Sequence, residues 1–463
     1  MIASVVSGPV VLFIRSPLEM LDEELHLPQA YLLSAGIFRQ LMYADTLRLR
    51  VIHEAAAERR RPTTEEVSQR VAEIIRDTGG ANEPILSMLP GYHAIVALPM
   101  AVNHRLGSLL GWQFDALLVA RLASGGISLG LLAALVALCR RTGVTASACD
   151  PRDCDSLAAS AWTAAIVLPF HWLVYTDMLA MLLIVAVVLA HAVGRPTVAG
   201  GLGILSMAVR QTTVALVATA PIIDLWDDFF APQPSAGRPW AARLGLACRR
   251  HWATLVTLAV FFGFVLINGR ISVGPREAHA FQLTCSALVF SLAVFAICTV
   301  PLMIGSLWRV LRERPLCLKP RTLGLIMTAA AVGACSFTAA HEWNRTDNCP
   351  WLLRNHLIEW LENASIARVP IGRVGLFGLL VSAGMLLAST PMPARYAAFL
   401  AAAWLCSVVP FLLLEPRYSI PPIVLWLALR KRESERLERA QVAWGIAVGG
   451  LLAFLHASGV IFL

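Results

Sequence analysis

Long apolar runs recur along almost the whole chain, and they constrain its fold more than any other feature. A helix needs about 20 apolar residues to cross some 30 Å of hydrocarbon, and many of the runs approach or exceed that length. The thirteen runs cover residues 2–14, 92–102, 115–139, 157–174, 178–193, 198–223, 252–267, 281–308, 323–340, 371–389, 396–414, 420–429 and 442–463. Because the weaker runs could be re-entrant, the sequence predicts an all-α polytopic membrane protein with eleven to thirteen transmembrane helices.

The composition excludes a soluble protein. Hydrophobic residues make up 57% of the 463 residues and charged residues only 15%, which leaves too little polar surface for a soluble chain of this length. Lysine and arginine exceed the acidic residues by 38 to 30, for a net charge of +8. In a membrane protein such an excess is expected in cytoplasmic loops, so the bilayer is the predicted partner and nucleic acid is not.

The basic loops predict how the chain is oriented in the membrane. Simple alternation of the spans places the three richest arginine and lysine loops (238–250, 309–321 and 430–439) on one side, which is therefore predicted to be cytoplasmic. The segments 15–90, 268–279, 341–370 and 415–419 fall on the opposite, luminal side. Two N-x-S/T sequons, at Asn344 and Asn363, lie in that luminal group. Arg140 and Arg141 also fall on the luminal side, which is a mild violation of the rule.

The first loop divides the chain into three predicted parts. Residues 1–14 form the first transmembrane helix, residues 15–91 a luminal loop, and residues 92–463 the multi-span domain. The middle of the loop reads as two amphipathic helices separated at Pro62. Thr63 and Glu66 have capping-box spacing, and an apolar stripe follows at helical period, formed by Val67, Val71, Ile74 and Ile75. Mixed charges on these helices favour packing over the helical domain rather than binding to a membrane surface.

Most of the chemically interesting residues fall in the predicted luminal segments. They are Asp22, Glu23, Glu24, His26, Asn268, Arg270, Arg276, His279, Asn355, His356, Glu415, Arg417 and Tyr418. An acid that deprotonates a hydroxyl, beside arginines that stabilise a phosphate leaving group, is what sugar transfer from a lipid phosphate requires.

Several of these features also have a structural interpretation. Three consecutive acids at residues 22–24 are typical of a solvated cap on a helix end. Arg210 lies within the apolar run 198–223, where an arginine is costly, so it either pairs structurally or contacts substrate in a polar cavity. Asp115 and Asp177 lie near the ends of spans, where a carboxylate is tolerated, and structural roles are favoured for both.

No metal site is predicted. The ten cysteines are scattered without a CxxC pair, and the chain contains neither HExxH nor a DxDxDG loop. His171 and His191 are isolated within apolar runs and show no ligand spacing. Cys149 and Cys154 lie close together in one loop, where they either form a short disulfide in an oxidising lumen or remain two thiols.

Seven motifs, in order from residue 21 to residue 422, resemble those of one family. LDEELHLPQA is similar to its MDE-x-F-H-x-P-Q-A, EPILSMLPGYH to D-P-x-I-T-T-P-P-G-L-Y, VYTDM to Y-Y-T-[DE]-x, and SMAVRQTTVA to F-R-Q-T-N. NGRISVGPREAH is similar to N-G-x-I-V-V-G-D-K-x-A-H, EPRYSIPP to E-P-R-Y-x-I-x-P, and CPWLLRNH, less closely, to H-P-Y-L-L-A-D-N-R-H. The family is that of the alpha-1,2-glucosyltransferases that add the terminal glucose to the dolichol-linked N-glycan precursor, within the GT-C superfamily.

The resemblance implies a GT-C type fold and an activity in the endoplasmic reticulum membrane, with the active site facing the lumen. Glucose would move from dolichyl-phosphate-glucose to a dolichyl-diphosphate oligosaccharide in the last glucosylation before N-glycan transfer. No cofactor is implied, and the chain has no GxGxxG motif for a nucleotide. A beta-linked donor and an alpha-linked product imply inversion, for which one carboxylate acting as base suffices.

The resemblance also implies roles for individual residues. Asp22 is the first candidate for the base and Glu23 the second, whereas Glu24 stands where the family has an apolar residue. His26 and Gln29 would position sugar hydroxyls. The candidates for the donor phosphate are Arg210, Arg417 and Arg276, because guanidinium groups match phosphate oxygens. The other substrate-binding candidates are Pro90, Gly91, Gln211, Asn268, Gly269, His279, Asn355, His356, Glu415 and Tyr418.

Departures from the family motifs leave two alternatives open. The motif T-T-P-P-G is replaced by SMLPG at residues 87–91, and the acid of A-D-N-R-H is missing before residues 354–356. These changes permit a GT-C transferase with another polyprenyl-phosphate sugar or another acceptor. A membrane transporter or channel regulator that uses Arg210 in a cavity is the alternative from a different class, although no internal repeat of the kind common in transporters is visible.

Overall fold

The computed structural model describes residues 23–36, 51, 63–77, 91–111, 114–142, 151–230, 240–268, 284–313, 320–339, 344–347, 353–410 and 414–457. These residues form α-helices and short 3₁₀ turns, with one isolated β-bridge between Ile366 and Val369 and no strand in the described part. The predicted all-α class is therefore confirmed for the described residues. The predicted first transmembrane helix, residues 1–14, lies outside them.

The helices are numbered here in chain order. They are α1 (Glu23–Ser34), α2 (Thr64–Asp77), α3 (Gly91–Leu110), α4 (Ala116–Thr142), α5 (Pro151–Trp162), α6 (Thr176–Ala192), α7 (Pro196–Val209), α8 (Val214–Thr219), α9 (Ile222–Phe229), α10 (Trp240–Arg250), α11 (Trp252–Asn268), α12 (Cys285–Cys298), α13 (Val300–Glu313), α14 (Pro320–Ser336), α15 (Leu353–Asn363), α16 (Ile371–Ser389), α17 (Ala394–Val408), α18 (Ile420–Leu429) and α19 (Glu435–Ala457). Three 3₁₀ turns, Leu168–His171, Gln211–Thr213 and Pro416–Ser419, interrupt the sequence of helices.

Two described helices, α4 and α16, are long and apolar enough to cross a membrane by themselves. The pairs α10–α11 and α12–α13 qualify if each is counted as one bent span, with bends of 75° and 84°. These two to four candidate spans support a membrane protein, while the predicted eleven to thirteen remain a prediction. Helices α6, α7 and α17 are also apolar, but each has fewer than 18 residues. A criterion based on helix length therefore does not count them as spans.

Contacts between distant segments define two ends of the helical bundle. At the first, called the Arg430 end, Arg432 forms an ion pair with Asp153 and Arg309 forms one with Glu433. The second pair joins two of the loops predicted to share the cytoplasmic side. Helix α18 runs from the Arg430 end to the opposite end, called the Arg210 end, where its first residue borders the same cleft as Arg210.

Arg210 does not lie in the middle of a span, so that part of the sequence interpretation was wrong. Its guanidinium pairs with Asp177 at the start of α6, while Asp224 pairs with His191 near the end of α6. The run 198–223 therefore doubles back, with α7 leading to Arg210 and α8 and α9 leading away from it. A run of this length fits either one membrane span or a hairpin of shorter helices. Only the ion pairs at the two ends of α6 show that this run is a hairpin.

The loop after Cys139 was also assigned to the wrong side. Its Asp153 pairs with Arg432, and the Cys139 thiol donates to the Ala428 carbonyl 3.4 Å away, so the loop lies at the Arg430 end. The physical reason is that α3 packs antiparallel against the first half of α4 and does not connect the two ends. The Tyr92 hydroxyl lies 2.8 Å from the Ser124 hydroxyl in that packing. Counting α3 as a span adds one membrane crossing, and counting the doubled-back run 198–223 as a single span omits one. The two errors cancel, so the later basic loops remain on one side.

The amphipathic helix predicted after Pro62 is present as α2. The Thr63 hydroxyl accepts a hydrogen bond from the Glu66 backbone N–H at 3.2 Å, which is the helix-capping half of the predicted box. Val67 and Val71 are buried in a small cluster with Val51. The apolar stripe therefore packs against Val51 of the same predicted loop, and its packing over the helical domain stays a prediction.

Candidate functional site

A narrow cleft with a cavity volume of about 30 Å³ opens at the Arg210 end, between the start of α6 and the start of α18. Its polar wall is formed by Asp177, Arg210, Arg417 and Tyr418. The facing wall is apolar and is built from Met181, Ile184, Leu216, Ile420 and Pro421. The cleft therefore combines a charged lining with an apolar one.

Local backbone structure fixes Arg210 at this cleft. Helix α7 ends at Val209, and Arg210 itself is extended, with φ −151° and ψ 110°. The Arg210 carbonyl accepts a hydrogen bond from the Thr213 hydroxyl at 2.8 Å, and the Ser206 hydroxyl donates to that of Thr213 at 2.8 Å. These bonds brace the turn, so the guanidinium is held against Asp177. Gln211, the neighbouring candidate, begins the 3₁₀ turn.

Glu415 joins two further arginines to the site. Its buried carboxylate pairs with Arg354 of α15 and lies 3.3 Å from Nε of Arg417. The guanidinium carbon of Arg417 lies 5.9 Å from the centre of the Tyr175 ring, and that of Arg210 lies 5.7 Å from the centre of the Tyr418 ring. Such cation–π contacts hold a guanidinium in place without neutralising it.

The helix that carries the HLPQ sequence lies next to this group. His26 Nδ1 of α1 is 2.9 Å from His93 Nε2 of α3, so one of the two rings donates a hydrogen bond to the other. The His26 ring is also 5.8 Å from that of Tyr92 and 6.2 Å from that of Tyr175. Gln29, one turn further along α1, is buried. Tyr175 thus contacts both α1 and Arg417.

Gly91 has a packing role that a side chain would prevent. A Cβ atom at this position would lie 2.7 Å from the Ala208 carbonyl oxygen and 3.1 Å from the Val209 nitrogen. Glycine therefore lets the start of α3 touch the end of α7, immediately before Arg210. This contact carries Tyr92 and His93 to the Arg210 end.

The charges of the described site do not cancel. Arg210, Arg354 and Arg417 face Asp177 and Glu415, which leaves a formal charge of +1. The side chains of Arg210 and Arg417 are each 20% exposed, whereas that of Arg354 is 5% exposed and lies behind Glu415. An anion in the cleft could therefore reach the first two arginines.

Tyr418 contributes a neutral hydroxyl to this charged wall. Burial raises its pKa above the ordinary value, the charge of Glu415 acts in the same direction, and the charges of Arg210, Arg417 and Arg354 oppose them. A phenol of raised pKa stays protonated at neutral pH and can donate a hydrogen bond.

The described structure brings together a majority of the predicted site residues that it contains. His26, Gln29, Gly91, Arg210, Gln211, Glu415, Arg417 and Tyr418 all lie at the Arg210 end. Asn355 is buried in α15, where its amide donates to the Arg345 carbonyl at 3.0 Å, and His356 is exposed on the same helix.

Other predicted residues fall beyond the described part of the chain. Asp22, Pro90, Gly269, Arg276 and His279 lie outside the described residues, as does Cys149. Glu23 is described only as the first residue of α1, and Asn268 only as the last residue of α11. Their proposed roles therefore remain predictions.

Sequence reasoning passed over five residues that the fold places in the site. They are Tyr92, His93, Tyr175, Asp177 and Arg354. All five lie inside or beside the motifs LPGYH, VYTDM and RNH, so the motifs themselves contained the signal. Asp177 was assigned a structural role from its position at a span end, a position that says nothing about its partner.

Together the fold and the site define an all-helical membrane protein with an arginine-rich polar cleft at one end. Residues 227–428 match the model of the DIE2/ALG10 family, which confirms the family predicted from the sequence motifs. This match supports a glycosyltransferase of lipid-linked oligosaccharide synthesis. No curated protein and no solved structure matches the chain.

The matched region is physically continuous with the motifs that precede it. Tyr418 and Arg417 lie within the matched residues, whereas Arg210 and Tyr175 lie before them. The two cation–π contacts join these pairs across the boundary. One site therefore combines residues from both parts of the chain.

Proposed function

We propose that this protein transfers glucose from dolichyl-phosphate-glucose to the terminal glucose of a dolichyl-diphosphate oligosaccharide, forming an alpha-1,2 linkage with inversion. The observation that carries the proposal is the cleft in which Arg210 and Arg417 are held by ion pairs but remain partly exposed. The family match supports the same class of reaction.

The two exposed arginines would bind the phosphate of the donor. A guanidinium presents several N–H donors in a planar fork, which fits phosphate oxygens. Their formal surplus of positive charge would stabilise the dolichyl phosphate that leaves as the bond to glucose breaks. The apolar residues that line the cleft, including Met181 and Leu216, would face the first isoprene units of such a lipid.

The base would come from the first turn of α1 or from the residue before it. Glu23 begins α1, and His26 follows one turn later beside Tyr175, which supports a position for this segment at the edge of the cleft. Asp22 remains the first candidate for removing the proton from the acceptor hydroxyl, and Glu23 the second. His26 and Gln29 would then orient sugar hydroxyls.

The remaining roles belong to the same proposal. Arg276 would be a third phosphate contact, and the other substrate-binding candidates of residues 268–279, together with Pro90, would complete the donor and acceptor sites. The reaction would take place on the luminal side of the endoplasmic reticulum membrane and would need no cofactor.

The decisive experiment is an assay of the full-length protein with dolichyl-phosphate-glucose and the two-glucose lipid-linked precursor. Asp22→Asn should abolish transfer, because an amide cannot accept the proton, and Glu23→Gln should then retain activity. Glu24→Gln is the matched control in the same acidic run and should behave as wild type. Normal turnover by Asp22→Asn would refute its assignment as base and transfer the role to Glu23.

Substrate choice is tested in the same assay. Replacing the donor by another polyprenyl-phosphate sugar, or the acceptor by the one-glucose precursor, should give no product. Transfer with either substitute, and none with the proposed pair, would contradict the donor or acceptor assignment. Uptake of a solute by reconstituted vesicles without any sugar transfer would contradict the enzyme class itself.

A further inference from the structure

Two histidines and an aspartate lie together at the far end of α6 from the cleft. They are His191 in the last turn of α6, Asp224 in α9 and His251 in the turn between α10 and α11. Each offers one potential ligand atom, and these atoms all lie within 4.8 Å of one another. Both histidines are buried, and the Asp224 carboxylate is 6% exposed.

The hydrogen bonding of His191 leaves one ring nitrogen available. Its Nδ1 lies 2.8 Å from the Asp224 carboxylate, whereas its buried Nε2 has no hydrogen-bond partner among the described residues. Leaving a buried polar atom without a hydrogen bond is unfavourable, and a bound ion would relieve that cost. The His251 ring stacks on that of His191 with centroids 5.6 Å apart and planes 29° apart.

We propose that His191, Asp224 and His251 bind a divalent transition metal of the zinc class. Imidazole with one carboxylate is a ligand set that such ions prefer. As a ligand of an ion on His191 Nε2, the Asp224 carboxylate would exchange its hydrogen bond with Nδ1 for the ion. In a tetrahedral zinc site the ligand atoms lie roughly 3.4 Å apart, so binding requires the three side chains to close by about 1 Å.

The position of the site predicts a structural role. Fourteen residues of α6, about 21 Å at 1.5 Å per residue, separate His191 from Asp177 in the cleft. The ion would join α6, α9 and the α10–α11 turn, three segments that are 33 and 27 residues apart in sequence. It would thereby fix the far end of the hairpin that presents Arg210.

The test is zinc binding by the full-length protein purified in detergent, stripped with EDTA and dialysed. Wild type should bind one Zn²⁺ per chain, and Co²⁺ should give the visible spectrum of a nitrogen–oxygen site. His191→Gln and His251→Gln should each lose stoichiometric binding, and Asp224→Asn, which removes the charged ligand, should lower the affinity for Zn²⁺. His104→Gln, which alters an exposed histidine in α3, is the matched control and should bind as wild type.

A second measurement on the unaltered chain does not depend on how well the variants fold. Added Zn²⁺ should raise the melting temperature of the stripped protein, and Mg²⁺ at the same concentration should not. If wild type takes up no stoichiometric zinc, the proposal is wrong and the three residues form a hydrogen-bonded pair with a stacked histidine. Binding that persists unchanged in both histidine variants would equally overturn it.

Discussion

Replacing Arg210 is the sharpest test of the cleft as a phosphate site. Arg210→Ala removes a guanidinium that is held by Asp177 and the Tyr418 ring and is 20% exposed to the cleft. Losing one preorganised donor to a developing negative charge costs about 2.7–4 kcal/mol. We therefore expect kcat/KM for the lipid-phosphate donor to fall by about 10²–10³-fold. Arg210→Lys should fall between wild type and Arg210→Ala, because lysine keeps the charge and loses the fork.

The same substitution also affects stability, and the two effects must be separated. Removing one member of a buried ion pair costs about 3–5 kcal/mol, and the lower end applies because Arg210 reaches the cleft. The Asp177 carboxylate would be left 5% exposed without its cation. In Asp177→Asn/Arg210→Gln both charges are removed together, so the free energy of unfolding should largely recover. Turnover should stay as low as in Arg210→Ala.

The assay is initial-rate transfer from a titrated lipid-phosphate donor, with thermal unfolding of each variant measured in parallel. Arg105→Ala, on the exposed surface of α3, controls for the loss of an arginine and should leave both readouts unchanged. If the double variant regains activity along with stability, Arg210 serves only as the partner of Asp177. Activity of a folded Arg210→Ala within threefold of wild type would lead to the same conclusion.

Two further predictions concern stability and topology. Burial alone would raise the pKa of the Glu438 carboxyl, but hydrogen bonds and charge from Arg430 hold it below its ordinary value of 4.5. The stabilisation from this pair should be complete above about pH 4.5 and lost as the pH falls through the lowered pKa. Glu438→Gln should lower the free energy of unfolding by about 3–5 kcal/mol at neutral pH and abolish that pH dependence. Thermal unfolding at a series of pH values measures both effects. Asn363 is exposed, whereas Asn344 is buried and its side-chain oxygen accepts a hydrogen bond from the Leu414 N–H at 3.1 Å. Mass spectrometry should therefore find a glycan at the Asn363 sequon and none at the Asn344 sequon. A glycan at Asn344 would contradict this packing.

The side assignment of the loop after α4 bears on its cysteines. Cys154 is buried, and its thiol lies 3.5 Å from the Cys139 carbonyl. The loop lies at the Arg430 end, which the basic loops predict to be cytoplasmic and hence reducing. The position of the loop therefore favours two thiols over a disulfide with Cys149.

The sequence by itself determined the properties that depend on composition and on short stretches of chain. Apolar runs predicted an all-helical membrane protein, and spacing predicted the cap at Thr63 and the buried stripe at Val67 and Val71. The ordered motifs identified the family and eight of the residues now found at the Arg210 end. These signals are local, because a cap, a stripe or a motif is complete within a few turns of chain.

Only the tertiary structure decided which segments meet. Periodicity reports that a residue is buried but not against what, so Arg210 looked like an arginine in mid-span until its pairing with Asp177 showed a turn. Arg354 became part of the site through Glu415, which lies 61 residues further along the chain. His191 showed no ligand spacing because Asp224 and His251 come from other helices. Each of these groups is held by contacts between distant segments, and those contacts follow from how the helices pack.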